Sequence, residues 1–195
     1  WSSDVCSSDL YLILRTLEKM EDGDFLVYMD AGCQLNPDGI KRLKEYESML
    51  NENEFGLLTF RLPIGCEDIR YTKRATLEFM NATEEDKQTP QCVGGILLMK
   101  KTDFLIEYME TWYQYASANN HIYINHIRGP NEFPEYIDHR HDQSIHSLLI
   151  KRILREQTTD GPRPIVIPDE TYFEPNWEED GKHFPIWARR VKSWS

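Results

Sequence analysis

The chain has 195 residues, with 33 acidic and 22 basic side chains and a net charge of -11 at neutral pH. The basic residues are scattered, which argues against a nucleic-acid partner, because such proteins concentrate positive charge where they neutralise phosphates. An apolar fraction of 40% excludes general disorder. No apolar run approaches the roughly 18 residues of a membrane span. One globular domain with a substantial core is expected.

The first ten residues, WSSDVCSSDL, differ in composition and periodicity from the rest of the chain. They resemble a translated sequencing adapter, which predicts that segment 1–10 is not native and that the true start of the gene is missing; a native disordered tail is the alternative. Residues 11–195 then form a single, partial domain. Without Cys6, three widely spaced cysteines remain: Cys33, Cys66 and Cys92. They fit reduced thiols better than a disulfide framework. This predicts a cytoplasmic protein, either free in the cytoplasm or bound at the surface of a membrane.

Helical and strand patterns alternate along the rest of the chain. The predicted helices, in order, are residues 11–20, a helix from Pro37 to Leu50 with Asn36 as its N-cap, one capped by Thr72, a long one capped by Thr102, and one ending near Arg155. The predicted strands are residues 25–29, 55–62, 93–99 and 164–168. This alternation predicts an α/β fold with a mostly parallel sheet flanked by helices.

The strand at 25–29 ends abruptly in Asp30. Ligands of open α/β sheets bind beyond the carboxyl ends of strands, so an acid at this edge is placed for chemistry and not for packing. The strand at 93–99 contains Gly94 and Gly95, which weaken a strand and predict that backbone closely approaches a ligand. A bulge or tight packing would explain the two glycines equally simply.

A second unusual segment, Asp138-His-Arg-His-Asp-Gln-Ser144, opens the last long helix. Two histidines and an acid can converge on a metal ion, but the adjacency of His141 and Asp142 is a poor spacing for one. Asp142 is either a helix N-cap or a carboxylate that orients or deprotonates a hydroxyl group. A cap alone explains neither histidine, which favours the chemical role, although His139 could be a hydrogen-bonded histidine of the turn.

Two further features are candidates for binding. Lys73 lies just inside a predicted helix N-terminus, where its ammonium and the backbone amides could meet a phosphate; a solvated surface lysine is the alternative. The polar, proline-bearing stretch from Asn119 to Glu135 is a candidate lid or acceptor surface.

Four of these segments together resemble bacterial and viral glycosyltransferases of the GT-A type, within the nucleotide-diphospho-sugar transferase superfamily. They are Tyr28-Met-Asp-Ala-Gly-Cys33, Tyr71-Thr-Lys73, Gly94-Gly95 with the long helix after it, and His139-Arg-His-Asp-Gln-Ser144. The resemblance covers roughly residues 11 to 190. It implies transfer of a sugar from a nucleotide-sugar donor to a carbohydrate or other hydroxyl acceptor, in surface-polysaccharide or glycan synthesis.

In that family the strands that grip the nucleotide precede the acidic motif. Here the motif comes soon after the adapter-like segment, so the first part of the domain is expected to be missing. We therefore expect weak nucleotide binding and an exposed sheet edge that favours aggregation.

The resemblance also implies roles for single residues. Asp30 would bind a divalent cation, Mn²⁺ or Mg²⁺, which neutralises the diphosphate through oxygen ligands. Asp142 and Gln143 would form the catalytic pair facing the sugar or the acceptor. The implied substrate-binding residues are Lys73, Gly94, Gly95, His139 and His141. Ala31 and Gly32 replace the rest of the usual acidic triplet, which leaves metal dependence open. The alternatives are a metal-dependent hydrolase using His139 and His141, and a noncatalytic carbohydrate-binding module.

Overall fold

A computed structural model describes residues 3–157 and 161–189, with residues 3–7 described as backbone only. The helices are α1 Ser3–Leu17, α2 Ile40–Asn51, α3 Asp68–Tyr71, α4 Arg74–Phe79, α5 Glu84–Gln88, α6 Asp103–His121, α7 His141–Glu156 and α8 Trp177–Asp180. The strands are β1 Phe25–Met29, β2 Gln34–Leu35, β3 Leu57–Arg61, β4 Ile96–Lys100, β5 Ile165–Pro168 and β6 Ile186–Trp187. The fold is mixed α/β, as the sequence predicts.

The main sheet has four strands in the order β1-β4-β3-β5. The prediction of a mostly parallel sheet is wrong: β4 is antiparallel to both neighbours, and only β3 and β5 are parallel. A parallel pair needs a crossover that carries the chain back along the sheet. Residues 62–95 instead leave β3 and enter β4 at the same end of the sheet, so β4 runs back along β3. Alternation of helices and strands does not determine this direction.

Helices cover both faces of the sheet. Because side chains alternate along a strand, Leu97 and Met99 of β4 join the core formed with α1, α6 and α7, whereas Ile96 and Leu98 face α2 on the other side. Tyr108 and Trp112 of α6 are both buried, so the aromatic side chains on this face of the helix belong to the core. The end of β1 and the start of β4 lie side by side, next to the first turn of α7.

The predicted caps and boundaries are confirmed in part. The side chain of Thr102 accepts from Leu105 N at the start of α6. The side chain of Asn36 accepts from Asp38 N, but it caps a short 3-10 helix, Pro37–Gly39, that leads into α2, and not α2 itself. Thr72 does not cap α4; its hydroxyl donates to the Asp68 carboxylate, and Lys73 occupies the N-cap. The short helices α3 and α5 were not predicted, because one turn of helix has no readable periodicity.

Helix α1 begins at Ser3, earlier than the predicted start at residue 11. Leu10 is buried together with Ile13 and Leu17, so the apolar spacing of residues 11–20 extends into the adapter-like segment. A helix from Ser3 onward is not the disordered tail that was the alternative interpretation. The helix does not show whether residues 1–10 are native or derived from an adapter.

The last part of the described chain returns to the loop after Asp30. Strand β6 pairs antiparallel with β2, and the side-chain amide of Asn36 donates to the carbonyls of Lys182 and Phe184. A Cβ on Gly39 would lie 2.3 Å from the nitrogen of Pro185, so only glycine permits this approach. The segment around β6 therefore packs beside β2. Among the helices that are described, none combines the length and apolar character required to cross a membrane.

Candidate functional site

Asp30 emerges from the end of β1 with its side chain exposed. Its backbone N–H donates to Gly95 O at 2.9 Å, and the hydroxyl of Tyr28 lies 3.1 Å from Asp30 Oδ1 and 3.2 Å from Asp9 Oδ2. A Cβ on Gly95 would lie only 2.4 Å from Asp30 Oδ2. Gly95 thus leaves room for the carboxylate of Asp30, in keeping with tight packing at the glycine pair.

Asp142 lies in the first turn of α7, partly buried. The N-cap interpretation of this residue is wrong, because Arg140 occupies that position and Asp142 Oδ1 accepts from the adjacent amide of Gln143 at 3.0 Å. Burial first, and then the nearby carboxylates of Asp30 and Asp9, raise the pKa of Asp142 to about 7. A carboxyl group with such a pKa can accept or donate a proton near neutral pH.

Gln143 joins the first turn of α7 to the glycine pair. Its Oε1 accepts from Gly94 N at 3.1 Å, and its Nε2 donates to Gln91 Oε1 at 3.0 Å. A Cβ on Gly94 would lie 3.1 Å from Gln143 Cα, so the two backbones touch. Three parts of the chain that are distant in sequence therefore meet at the end of the sheet where β1 ends and β4 begins. They are Asp30, the Gly94–Gly95 pair, and Asp142 with Gln143.

His139 is almost completely buried. Its Nε2 lies 2.8 Å from Tyr123 O; because a carbonyl only accepts, this nitrogen carries the proton. Its Nδ1 then accepts, at 3.4 Å from Lys73 N. Burial, with a further contribution from Lys73, lowers the pKa of His139 to about 3. His139 is thus a neutral, hydrogen-bonded histidine of the turn.

His141 adopts a left-handed backbone conformation with φ of 50°. Its Nδ1 donates to Ile124 O at 2.6 Å, and its ring packs edge-on against His126 with centroids 4.3 Å apart. Within residues 3–157 and 161–189, no set of three or more His, Cys, Asp or Glu side chains has a geometry that could hold a metal ion. The two histidines of the motif are engaged in holding the segment after α6.

Lys73 is buried, and its ammonium points away from solvent. It donates to the carbonyl of Ile122, to Asn125 O at 3.1 Å and to Asn125 Oδ1 at 2.8 Å. Burial lowers the pKa of Lys73 to about 8. All three N–H groups of the ammonium have acceptors within the chain, so a phosphate would have to replace one of them.

Sequence reasoning missed three residues that support the site. Tyr28 contacts Asp30, Gln91 contacts Gln143, and the indole N–H of Trp112 donates to Asp142 O at 3.1 Å. Tyr28 stands in the motif that suggested the family, which is a usable signal. Gln91 and Trp112 carry no local signal, because their partners come from other elements.

Comparison of the chain with protein-family models, curated proteins and solved structures finds no match in any of the three.

Proposed function

We propose that this chain is part of a GT-A-type glycosyltransferase that moves a sugar from a nucleotide-sugar donor to a hydroxyl acceptor. The observation that supports the proposal most strongly is the convergence of Asp30 and Asp142 across the Gly94–Gly95 pair. The two carboxylates are close enough that Asp30 helps to raise the pKa of Asp142. Such an arrangement suits a reaction that needs one acid toward the donor and one toward the acceptor.

In this proposal Asp142 accepts the proton of the acceptor hydroxyl. With a pKa of about 7 it is partly ionised at neutral pH and basic enough to remove that proton as the new glycosidic bond forms. General base catalysis of this kind contributes roughly 10² to 10⁴ in rate. Gln143 would keep the carboxylate in place through its bond to Gly94.

Asp30 would face the diphosphate of the donor. Its exposed carboxylate can supply one oxygen ligand to Mg²⁺ or Mn²⁺, which commonly takes its other ligands from substrate phosphates and water. The described side chains build no complete metal site by themselves. Comparison of activity with and without Mn²⁺ decides whether the ion is required.

The test is nucleotide release from a panel of nucleotide sugars, with and without Mn²⁺. We expect release from one donor, lost in Asp30→Ala and in Asp142→Asn. Asp38→Asn, which changes an exposed acid in the short 3-10 helix that follows β2, is the matched control and should retain activity. Absence of release from every donor by folded protein, even with acceptor sugars present, would overturn the proposal.

The same panel separates the alternatives. Sugar binding without cleavage of any nucleotide sugar would identify a carbohydrate-binding module. Zinc-dependent hydrolysis that is lost in His141→Ala would identify the hydrolase. The engagement of His139 and His141 with backbone carbonyls favours neither alternative over the transferase.

A further inference from the structure

A series of buried side-chain hydrogen bonds connects an internal ion pair to the start of α7. Lys151 Nζ lies 2.7 Å from Asp68 Oδ2, and both side chains are buried. The amide Nε2 of Gln91, also fully buried, lies 2.9 Å from Asp68 Oδ1 and 2.9 Å from Thr72 Oγ1. At the other end of the same amide, Oε1 accepts from Gln143 Nε2. The series therefore ends at the residue next to Asp142.

The two ends of this series determine how both amides point. The Asp68 carboxylate, paired with Lys151, can only accept, so Gln91 must present its NH₂ there and its oxygen to Gln143. The N–H of Gly94 can only donate, so Gln143 must present its oxygen to Gly94 and its NH₂ to Gln91. Reversing either amide would place two acceptors or two donors face to face. Only one polarity of the Gln91–Gln143 link satisfies every group.

We propose that Gln91 is a positioning residue: through the Gln91–Gln143 link it holds the first turn of α7, and with it Asp142, against Gly94–Gly95 and opposite Asp30. Its effect on catalysis rests on the proposed function, whereas its effect on the orientation of Gln143 does not. The side-chain amide of Gln91 reaches this turn through its bond to Gln143, and its Nε2 also lies 3.3 Å from Ser144 Oγ. Gln91 therefore acts on Asp142 through these two neighbours.

Burial explains why the link constrains position and not only stability. A buried amide that loses a partner is left without water to replace it, so the link resists rotation of Gln143 more strongly than a solvated contact would. Misplacement of a reacting group by about 1 Å can cost roughly 10²-fold in rate. A small shift of α7 would therefore show in kcat.

The principal experiment compares Gln91→Met with Ser147→Ala. Ser147 also bonds to Asp68, at 2.7 Å, and accepts from Cys92 N, and neither bond involves Gln143. Both variants remove a buried hydrogen-bonding partner of Asp68, so both should be destabilised. We expect kcat to fall about 10- to 100-fold in Gln91→Met, with a smaller change in KM, and to stay near wild type in Ser147→Ala. Equal losses of kcat in the two variants would overturn the positioning role.

A second readout does not depend on activity. In wild type and in Ser147→Ala, the side-chain NH₂ of Gln143 should exchange slowly with solvent when followed by NMR. In Gln91→Met that exchange should become faster. Unchanged protection in Gln91→Met would overturn the proposal. Faster exchange in a protein whose wild type transfers no sugar would overturn the proposed function and still support the positioning of Gln143 by Gln91.

The conservative variant Gln91→Glu separates loss of the Gln91–Gln143 link from a simple failure to fold. In Gln91→Glu, a protonated carboxyl can donate to Asp68 while its other oxygen accepts from Gln143, so the polarity of the link is kept. Ionisation would place two carboxylates side by side in a buried site, with Lys151 as the only cation in the series. We expect kcat of Gln91→Glu, relative to wild type at the same pH, to recover as pH is lowered. A flat ratio at a value as low as that of Gln91→Met would contradict the proposal.

Discussion

The carboxylate of Asp30 occupies the space that a Cβ on residue 95 would take, so glycine fits at this position without a clash. A Cβ there would come within 2.4 Å of Asp30 Oδ2 and 2.8 Å of Asp30 Cγ. The backbone of Gly95 does not lie in the left-handed region, so an alanine is tolerated conformationally. The conflict is with an exposed side chain that can rotate away, and its cost is to the position of Asp30.

We therefore expect Gly95→Ala to reduce nucleotide release by about tenfold to a hundredfold and the free energy of unfolding by less than about 1 kcal/mol. Gly56→Ala is the opposite case, because φ is +83° and a Cβ would meet Lys100 O at 2.3 Å. That variant should lose roughly 1–3 kcal/mol of stability and keep its activity per folded molecule. Denaturant unfolding measures the stability of both variants, and nucleotide release measures their activity. A Gly95→Ala protein as active as wild type would contradict the prediction that this glycine leaves room for Asp30.

Asp142 has a pKa of about 7, raised chiefly by burial, and this makes stability depend on pH. Because the folded value exceeds the unfolded value of about 3.9, the folded state binds this proton more tightly. The contribution is complete below about pH 4 and is lost as pH rises toward 7 and beyond. Asp142→Asn should therefore be more stable than wild type at pH 8, and this difference should shrink at pH 5.

Denaturant unfolding of wild type and Asp142→Asn at the two pH values measures the difference. Parallel pH profiles would show that Asp142 ionises normally in the folded protein. The expected gain in stability accompanies loss of the proposed base, which is common where a buried charge serves chemistry.

At the scale of elements, the end of α6 carries the main backbone strain near the site. Asn119, Asn120 and His121 have φ of 48°, 54° and 63°, three consecutive non-glycine residues in the left-handed region, so the regular part of α6 ends before them at a kink. Directly after them, carbonyls of residues 122–125 accept hydrogen bonds from the side chains of Lys73, Thr76, His139 and His141. These tertiary contacts hold the strained turn, which begins the predicted lid or acceptor surface.

A matched pair at Asn120 tests this strain. Asn120→Gly should be tolerated, since glycine adopts positive φ without steric cost. Asn120→Val should lose roughly 1–2 kcal/mol in the free energy of unfolding, because a β-branched residue is poorly accommodated there. Thermal or denaturant unfolding measures the difference, and equal stabilities would mean that the turn relaxes out of the left-handed region.

At the scale of the whole molecule, the four-stranded sheet leaves β1 at an edge, with no further strand beside it in the described chain. This agrees with the expected exposed edge. Val27, in the middle of β1, is 43% exposed, and the strand contains no charge or proline to prevent pairing with another chain. The net charge of -11 gives only a general repulsion between molecules.

Val27→Lys should therefore slow aggregation of the chain while changing the free energy of unfolding by less than about 1 kcal/mol. Light scattering at elevated temperature measures the effect. Leu35→Lys, at an exposed position in the two-stranded β2–β6 sheet, is the control for added charge alone. Equal slowing in both variants would show that charge, and not the edge of β1, is responsible.

The sequence by itself determined the local features of this protein. The caps at Asn36 and Thr102, the buried face of α6 and the carboxylate at the end of β1 all follow from spacing and residue type. These properties depend on neighbours within a few residues, and hydrophobic periodicity reports them directly.

Only the tertiary structure decided strand direction and the state of each polar group. Strand pairing is non-local, so the antiparallel course of β4 was hidden in the alternation of elements. Lys73 and His139 read as ligand-binding groups in the sequence, yet folding buries both against backbone carbonyls. Gln91 carries no motif at all, and its partners come from α3 and α7. Burial and partnership decide what a polar side chain can do, and both arise only when distant segments pack together.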